Sequence, residues 1–210
     1  MTAEPFVPDT RDLDALAEAA RTCRGCELYE AATQTVFGSG PRKAHLLLVG
    51  EQPGDVEDIE GTPFVGPAGG LLDRALNDAG IDRSNSYLTN AVKHFSFELR
   101  GKRRLHQTPR VGHINACRPW LAAEVRSVAP ELIVCLGATA ARSVLGPQVR
   151  VMRDRGNVFD REGLVGSGKF LVTVHPSAIL RAQSEDRARS YADFVADLTV
   201  AAKFLSGGAG

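Results

Sequence analysis

"HLLLVGEQPGDVEDIEGTPFVGPAGG", residues 45–70, decides the fold. His45–Val49 read as a buried strand, and a long run rich in glycine and proline follows. A helix is then expected over about 67–79, because Leu71, Leu72, Ala75, Leu76 and Ala79 share one side. The alternation repeats along the chain. "SYLTNAV" reads as a strand, a basic loop comes next, and a helix is expected around 111–127. "ELIVCLG" and "ATAARSVLG" read as strand and helix. Segment 148–168, with Gly156, Gly163, Gly166 and Gly168, is irregular, a hairpin or edge strand. "KFLVTV" is another strand, ended by "HPSAIL". A last amphipathic helix, 185–204, turns Tyr191, Phe194, Val195, Leu198 and Ala202 inward. A first helix, 10–21, is capped by Asp9 or Thr10 and delivers "CRGC" at its end. Strands alternating with helices predict an α/β fold, a mostly parallel sheet with helices on both faces.

The 210 residues suffice for one core and one domain spanning 1–210, with 205–210 expected to be a flexible tail. There is no run of 18 apolar residues and no secretory signal, so no membrane association is expected. The 25 basic and 25 acidic residues cancel, but unevenly. Residues 51–60 hold five acids and no base, whereas residues 93–110 hold six Lys or Arg and one acid, Glu98. A protein that grips a phosphate backbone needs such a local positive cluster, although a solvated loop would look the same.

In parallel sheets ligands bind beyond the carboxyl ends of the strands. That rule gathers Glu51, Gln52 and Asp55, then Asn90, Gly137, His175 and Ser177, into one crevice. The loop "GKRRLHQTP", 101–109, leaves the second strand and can overhang it, bringing Lys102, Arg103, Arg104 and His106. An asparagine amide can read a pyrimidine edge, Phe64 can stack on a base, and a strand-end histidine can donate to an oxygen gaining charge. Together these suit an enzyme that flips a base and works on its glycosidic bond. Each part alone has a plainer reading: a turn former, a core aromatic, a strand cap. Of the four cysteines, Cys135 lies in an apolar strand and reads as core. Cys23 and Cys26, with two residues between them, can share a metal or cluster, and Cys117 is a third thiol with a fourth position unfilled.

"GEQPGDVEDIEGTPFVGPAG" resembles the first motif of the iron–sulfur, family-four uracil-DNA glycosylases. "TNAVK", "ACRPWL", "LGATAA" and "TVHPSAILR" resemble their later landmarks, in the same order. "GEQPG" with "KRRLH" is similar to the UdgX-type subgroup, whose loop reads Lys-Arg-Arg-Ile-His, Leu105 replacing the isoleucine. The resemblance implies a three-layer α/β/α fold on a central four-stranded sheet. It also implies a 4Fe-4S cluster held by Cys23, Cys26, His94 and Cys117 within the N-terminal segment, 1–30, and beyond. His94, in "AVKHF", stands where family-four relatives carry a cysteine.

For the site, the resemblance implies that Asn90 reads uracil, Phe64 stacks on it, and His175 donates to its oxygen. Gln52 is expected to contact the base or the reaction centre, and a residue of the first loop to exclude the thymine methyl. His106 would stand in place of the attacking water and capture the sugar carbon, leaving a covalent protein–DNA adduct. An ordinary imidazole, with a pKa of about 6.5, is mostly neutral at pH 7 and so nucleophilic. Glu51 would orient His106. Lys102, Arg103, Arg104 and Ser177 would face DNA, and Asp55 would align the loop. The expected partner is uracil-containing DNA, preferably single-stranded. A monomer in a bacterial cytoplasm is expected, the Ala, Gly and Arg content fitting a GC-rich genome. The competing readings are a turnover family-four glycosylase, a non-catalytic iron–sulfur protein that binds nucleic acid, and a nucleotide-binding domain using "GPAGG". The last lacks a Walker lysine.

Overall fold

The computed structural model describes residues 1–207. Its elements are α1 (Leu13–Ala20), β1 (Leu46–Gly50), α2 (Asp55–Glu60), α3 (Pro67–Asp78), β2 (Ser86–Asn90), β3 (Phe97–Arg100), β4 (Arg103–His106) and α4 (Val111–Val128). They continue with β5 (Leu132–Leu136), α5 (Ala138–Leu145), α6 (Val151–Asp154), β6 (Val158–Gly163), β7 (Gly166–Thr173), α7 (Pro176–Arg181) and α8 (Ser184–Leu205).

The sheet runs β2-β1-β5-β7-β6. Its first four strands are parallel, and β6 pairs antiparallel with β7. The sheet thus has five strands rather than four. The irregular segment supplies the extra one, since a glycine turn lets Gly163 pair with Gly166 and fold β6 back along β7. Alternate strand residues serve opposite cores. Leu47, Val49, Ile133, Cys135, Phe170 and Val172 face α1, α4 and α5, whereas Leu46, Leu48, Leu132, Val134, Leu136 and Leu171 face α3, α7 and α8. Both faces are covered, which is why the strands read as continuous apolar runs.

Five local readings are revised. Asp12, not Asp9 or Thr10, caps α1, its carboxylate accepting from the Asp14 and Ala15 amides at 2.8 and 3.3 Å. The loop after β1 contains α2, a single acidic turn stopped by Gly61 at φ 74°. The basic loop is the two-stranded hairpin β3–β4, turned at Gly101 with φ 61°. "HPSAIL" begins α7. Leu205 closes α8, so it is not part of a tail, and residues 208–210 lie outside the described residues.

The chain enters β1, steps outward to β2, then returns to the other side of β1 for β5. The reversal of direction between β1 and β5 is the point where an open α/β sheet opens a crevice at its carboxyl edge.

Candidate active site

A cavity of about 970 Å³ opens at that edge. Glu51, Gln52, Asp55, Phe64, Asn90, His106, Gly137, His175 and Ser177 all line it. Strand ends far apart in sequence are therefore brought together as expected. Gly50 makes a close junction. A side chain there would lie 2.3 Å from the Asn90 amide oxygen and 2.7 Å from the Phe64 ring, so only glycine lets both approach. Phe64 itself has φ 59°, a conformation unusual for a bulky residue. Gly69 permits it, because any Cβ on Gly69 would run into the Phe64 carbonyl. Glu57 closes the loop into a ring by accepting from the Gly54 and Gly66 amides at 3.0 and 2.7 Å.

His175 caps α7. Its Nδ1 accepts from the Ser177 amide at 3.1 Å and lies 2.8 Å from the Ser177 hydroxyl. A backbone amide can only donate, so Nδ1 holds the lone pair and Nε2 carries the proton. Burial pushes His175 down to about 4, Glu51 opposing and Arg181 and His106 adding to it. At neutral pH it is an uncharged donor. Ser177 is thus engaged with His175.

The hairpin is tied on by side chains. Arg104 reaches Asp55, the fully buried Asp58 and the Thr33 hydroxyl, and stacks over Phe95 and Phe97 at 5.6 and 5.2 Å. It is a staple between hairpin and acidic turn, and Asp55 aligns the loop through it. Gln52 spends its whole amide group on the hairpin base. It donates to the Ser96 and Gln107 carbonyls at 3.1 Å each and accepts from the Ser96 amide at 3.0 Å. Its side chain is thereby a tether, not a free reader of a ligand. Arg100, Lys102 and Arg103 at the tip pair with no acid among the described residues.

The hairpin ends at His106, whose side chain is 48% exposed and whose Nε2 lies 3.1 Å from Glu51 Oε1. The second Glu51 oxygen accepts the Thr139 hydroxyl. Burial alone would raise the Glu51 carboxyl. Its hydrogen bonds to His106 and Thr139, with the two imidazoles nearby, hold it below the ordinary carboxylate value instead.

Asn90 is positioned from below by a buried pair that the sequence did not disclose. Lys93 and Glu124, both with fully buried side chains, form an ion pair. Lys93 Nζ also donates to the Asn90 carbonyl at 2.8 Å, and Glu124 accepts from the Tyr87 and Thr89 hydroxyls and the Gly38 amide. Truncating one member would leave a buried charge unpaired.

Cys23, Cys26 and Cys117 are buried free thiols. Each meets an N–H: the Trp120 indole lies 3.2 Å from Cys23, the Lys93 amide 3.3 Å from Cys117, and the Leu28 amide bonds Cys26. Burial pushes Cys117 up to about 12 and raises Cys26. Cys135 is buried in β5 as core. His94 Nε2 lies 2.9 Å from the Thr35 hydroxyl, which gives its only proton to the Ala20 carbonyl. Nε2 must therefore be the donor and Nδ1 the lone-pair nitrogen, the state a metal-binding imidazole needs. Burial pushes His94 down to about 4, so it stays neutral. Among the described residues no three His, Cys, Asp or Glu side chains converge on one point as a single ion requires. Three thiols with N–H partners and one neutral imidazole are a donor set that suits an iron–sulfur cluster or a thiolate-bound metal ion.

A family model described as "Uracil DNA glycosylase superfamily" matches residues 37–199. Curated relatives include a protein of Thermotoga maritima named type-4 uracil-DNA glycosylase, 35% identical over 84% of this chain and 88% of its own. A protein of the same name from Archaeoglobus fulgidus is 33% identical over 80% and 83%, and one from Saccharolobus solfataricus 35% identical over 80% and 77%.

Proposed function

This chain belongs to the uracil-DNA glycosylase superfamily, and on that premise we propose that it excises uracil from DNA and captures the sugar carbon on His106. The observation that carries the capture is the His106–Glu51 contact of 3.1 Å, made in the cavity that also holds Asn90, Phe64 and His175. A histidine that only touched DNA would gain nothing from a partly buried carboxylate held by a second hydrogen bond.

In this reading the flipped base stacks on Phe64, and His175, whose ring centre is 6.3 Å from that of Phe64, meets the base at its edge. Asn90 reads the edge of the base. The bond from C1′ to uracil N1 breaks, its electron pair leaving with the base. The Nε2–H of His175 donates to the base oxygen that gains the charge; one such preorganised donor contributes about 3–4 kcal/mol. The sugar becomes an oxocarbenium-like cation, and a lone pair of His106 closes on C1′. With one ring nitrogen facing Glu51, the other is the one free to bond carbon. The first nitrogen keeps its proton against the ionised Glu51 carboxylate, so the adduct, an alkylated imidazolium paired with that carboxylate, hydrolyses slowly. The adduct therefore persists, and the departing uracil takes a proton from solvent.

Lys102 and Arg103 neutralise flanking phosphates, and Arg104 holds the hairpin. Cys23, Cys26, Cys117 and His94 would hold a 4Fe-4S cluster, which would supply ligation that ties the N-terminal segment to the turn after β2.

The name that the three relatives above share, type-4 uracil-DNA glycosylase, favours a second reading in which water attacks and the abasic product is released. A denaturing gel with a uracil oligonucleotide separates the two. A retarded band that survives heat and detergent is expected; uracil release without that band overturns capture and leaves hydrolysis.

A further inference from the structure

We propose that Thr139 is a positioning residue for the reaction: its hydroxyl fixes the Glu51 carboxylate so that one oxygen faces His106. The inference rests on the reading of His106 as the capturing group. The two residues come from opposite sides of the point where strand order reverses. Glu51 follows β1, and Thr139 lies in the first turn of α5, directly after β5. Gly137 sets that turn at φ 89°, and a Cβ there would lie 3.0 Å from the His175 Cβ. The helix start is thus wedged between the β1 end and the His175 turn.

A carboxylate on a loop can rotate about its last bonds. With one oxygen held by Thr139, the other is aimed at His106 Nε2, 3.1 Å away. Without the hydroxyl, nothing else among the described hydrogen bonds restrains that second oxygen. Orientation of a reacting pair is worth far more than its contact energy suggests, because a misaligned partner must be re-ordered in every turnover. The hydroxyl also favours the ionised carboxylate, as does the positive end of α5.

The test compares Thr139→Val, which keeps the branched shape and removes the hydroxyl, with Thr139→Ser, which keeps the hydroxyl. At saturating uracil DNA, Thr139→Val should slow adduct formation about tenfold, the effect of losing one hydrogen bond to a charged group when it is fully felt in the transition state. DNA affinity should change less than twofold, and Thr139→Ser should stay within about threefold of the parent. The acid limb of the rate profile should move to higher pH in Thr139→Val, since Glu51 loses a group that favours its charge. The titratable groups facing Glu51 are His106 and His175, with Asp55, Glu57 and Arg181 elsewhere on the cavity wall, and all are unchanged in both variants. Equal rates and limbs in parent and Thr139→Val overturn the proposal. So does equal damage in the two variants, which marks a packing role. A second measurement needs no DNA: the ring N–H signal of His106, paired with Glu51, should broaden by faster exchange in Thr139→Val and not in Thr139→Ser. If the parent forms no adduct, the capture reading has failed, and this signal alone decides Thr139: broadening in Thr139→Val supports it, an unchanged signal overturns it.

Discussion

His106 and His175 stand in one cavity and are held in opposite ways. His175 sits where a parallel strand ends, fixed by a backbone amide and only partly exposed. His106 ends a hairpin outside the main sheet, half exposed, and is placed by side chains: Arg104, Gln52 and Glu51. The difference suits the two jobs proposed for them. A donor to a developing anion works best neutral, immobile and dry. A group that must meet an incoming sugar has to stay reachable from solvent.

The largest expected effect breaks the comparison outright. His106→Ser should abolish the heat-stable band while free uracil still appears in the supernatant; a persisting band makes another residue the nucleophile. Next, His175→Phe keeps an aromatic ring and removes the donor, so uracil release and capture should fall together by about 10²–10³-fold in single-turnover assays. If capture fell and release did not, the two histidines would not share one transition state.

That variant also sharpens the electrostatic contrast. His175 titrates near 4 in the folded chain against 6.5 for an ordinary histidine. The unfolded chain thus takes up a proton that the folded one refuses, and stability falls as pH drops from about 6.5 towards about 4. His175→Phe should flatten that acid slope in a urea titration at several pH values by close to one proton.

A smaller effect comes from the staple. Arg104→Met strands Asp55 and the buried Asp58, and should lower Tm by about 4–8 °C, as roughly 2 kcal/mol does in a domain of this length. Adduct yield should suffer more than uracil release, because His106 rides on the hairpin and His175 does not. Equal losses in both assays would show that the hairpin is not a separate positioning device. Smallest, Lys102→Ala or Arg103→Ala should weaken DNA binding a few-fold and reduce its salt slope by about one.

The two regions also differ in how far the sequence disclosed them. The parallel scaffold was legible because buried strands are continuous apolar runs and each is followed by an amphipathic helix. The strand-end rule then gathered Glu51, Gln52, Asp55, Asn90, Gly137, His175 and Ser177 without coordinates. The hairpin was read as a loop, since two four-residue strands packed on little core leave no periodicity to detect. Arg104 looked like a phosphate contact; its partners, Asp55 and Asp58, lie 49 and 46 residues away, and a count of charges cannot pair them. Gln52 looked like a base reader for the same reason. Lys93 and Thr139 lay inside the landmarks "TNAVK" and "LGATAA" without a role to assign, and Glu124 and Thr35 carried no signal, because a hydroxyl or a buried ion pair acts only through what faces it.

Composition, period and motif order determined by themselves that this chain folds as a doubly covered α/β sheet with its chemistry at the carboxyl edge, because backbone hydrogen bonding and apolar burial act through local pattern. The resemblance had already put Glu51 beside His106 and Asp55 on the basic loop; the tertiary structure alone decided that the buried Asp58 also meets Arg104 and that Glu124 meets Lys93. Electrostatic partnership depends on distance in space and on solvent exclusion, and neither quantity is written in the spacing of residues along the chain.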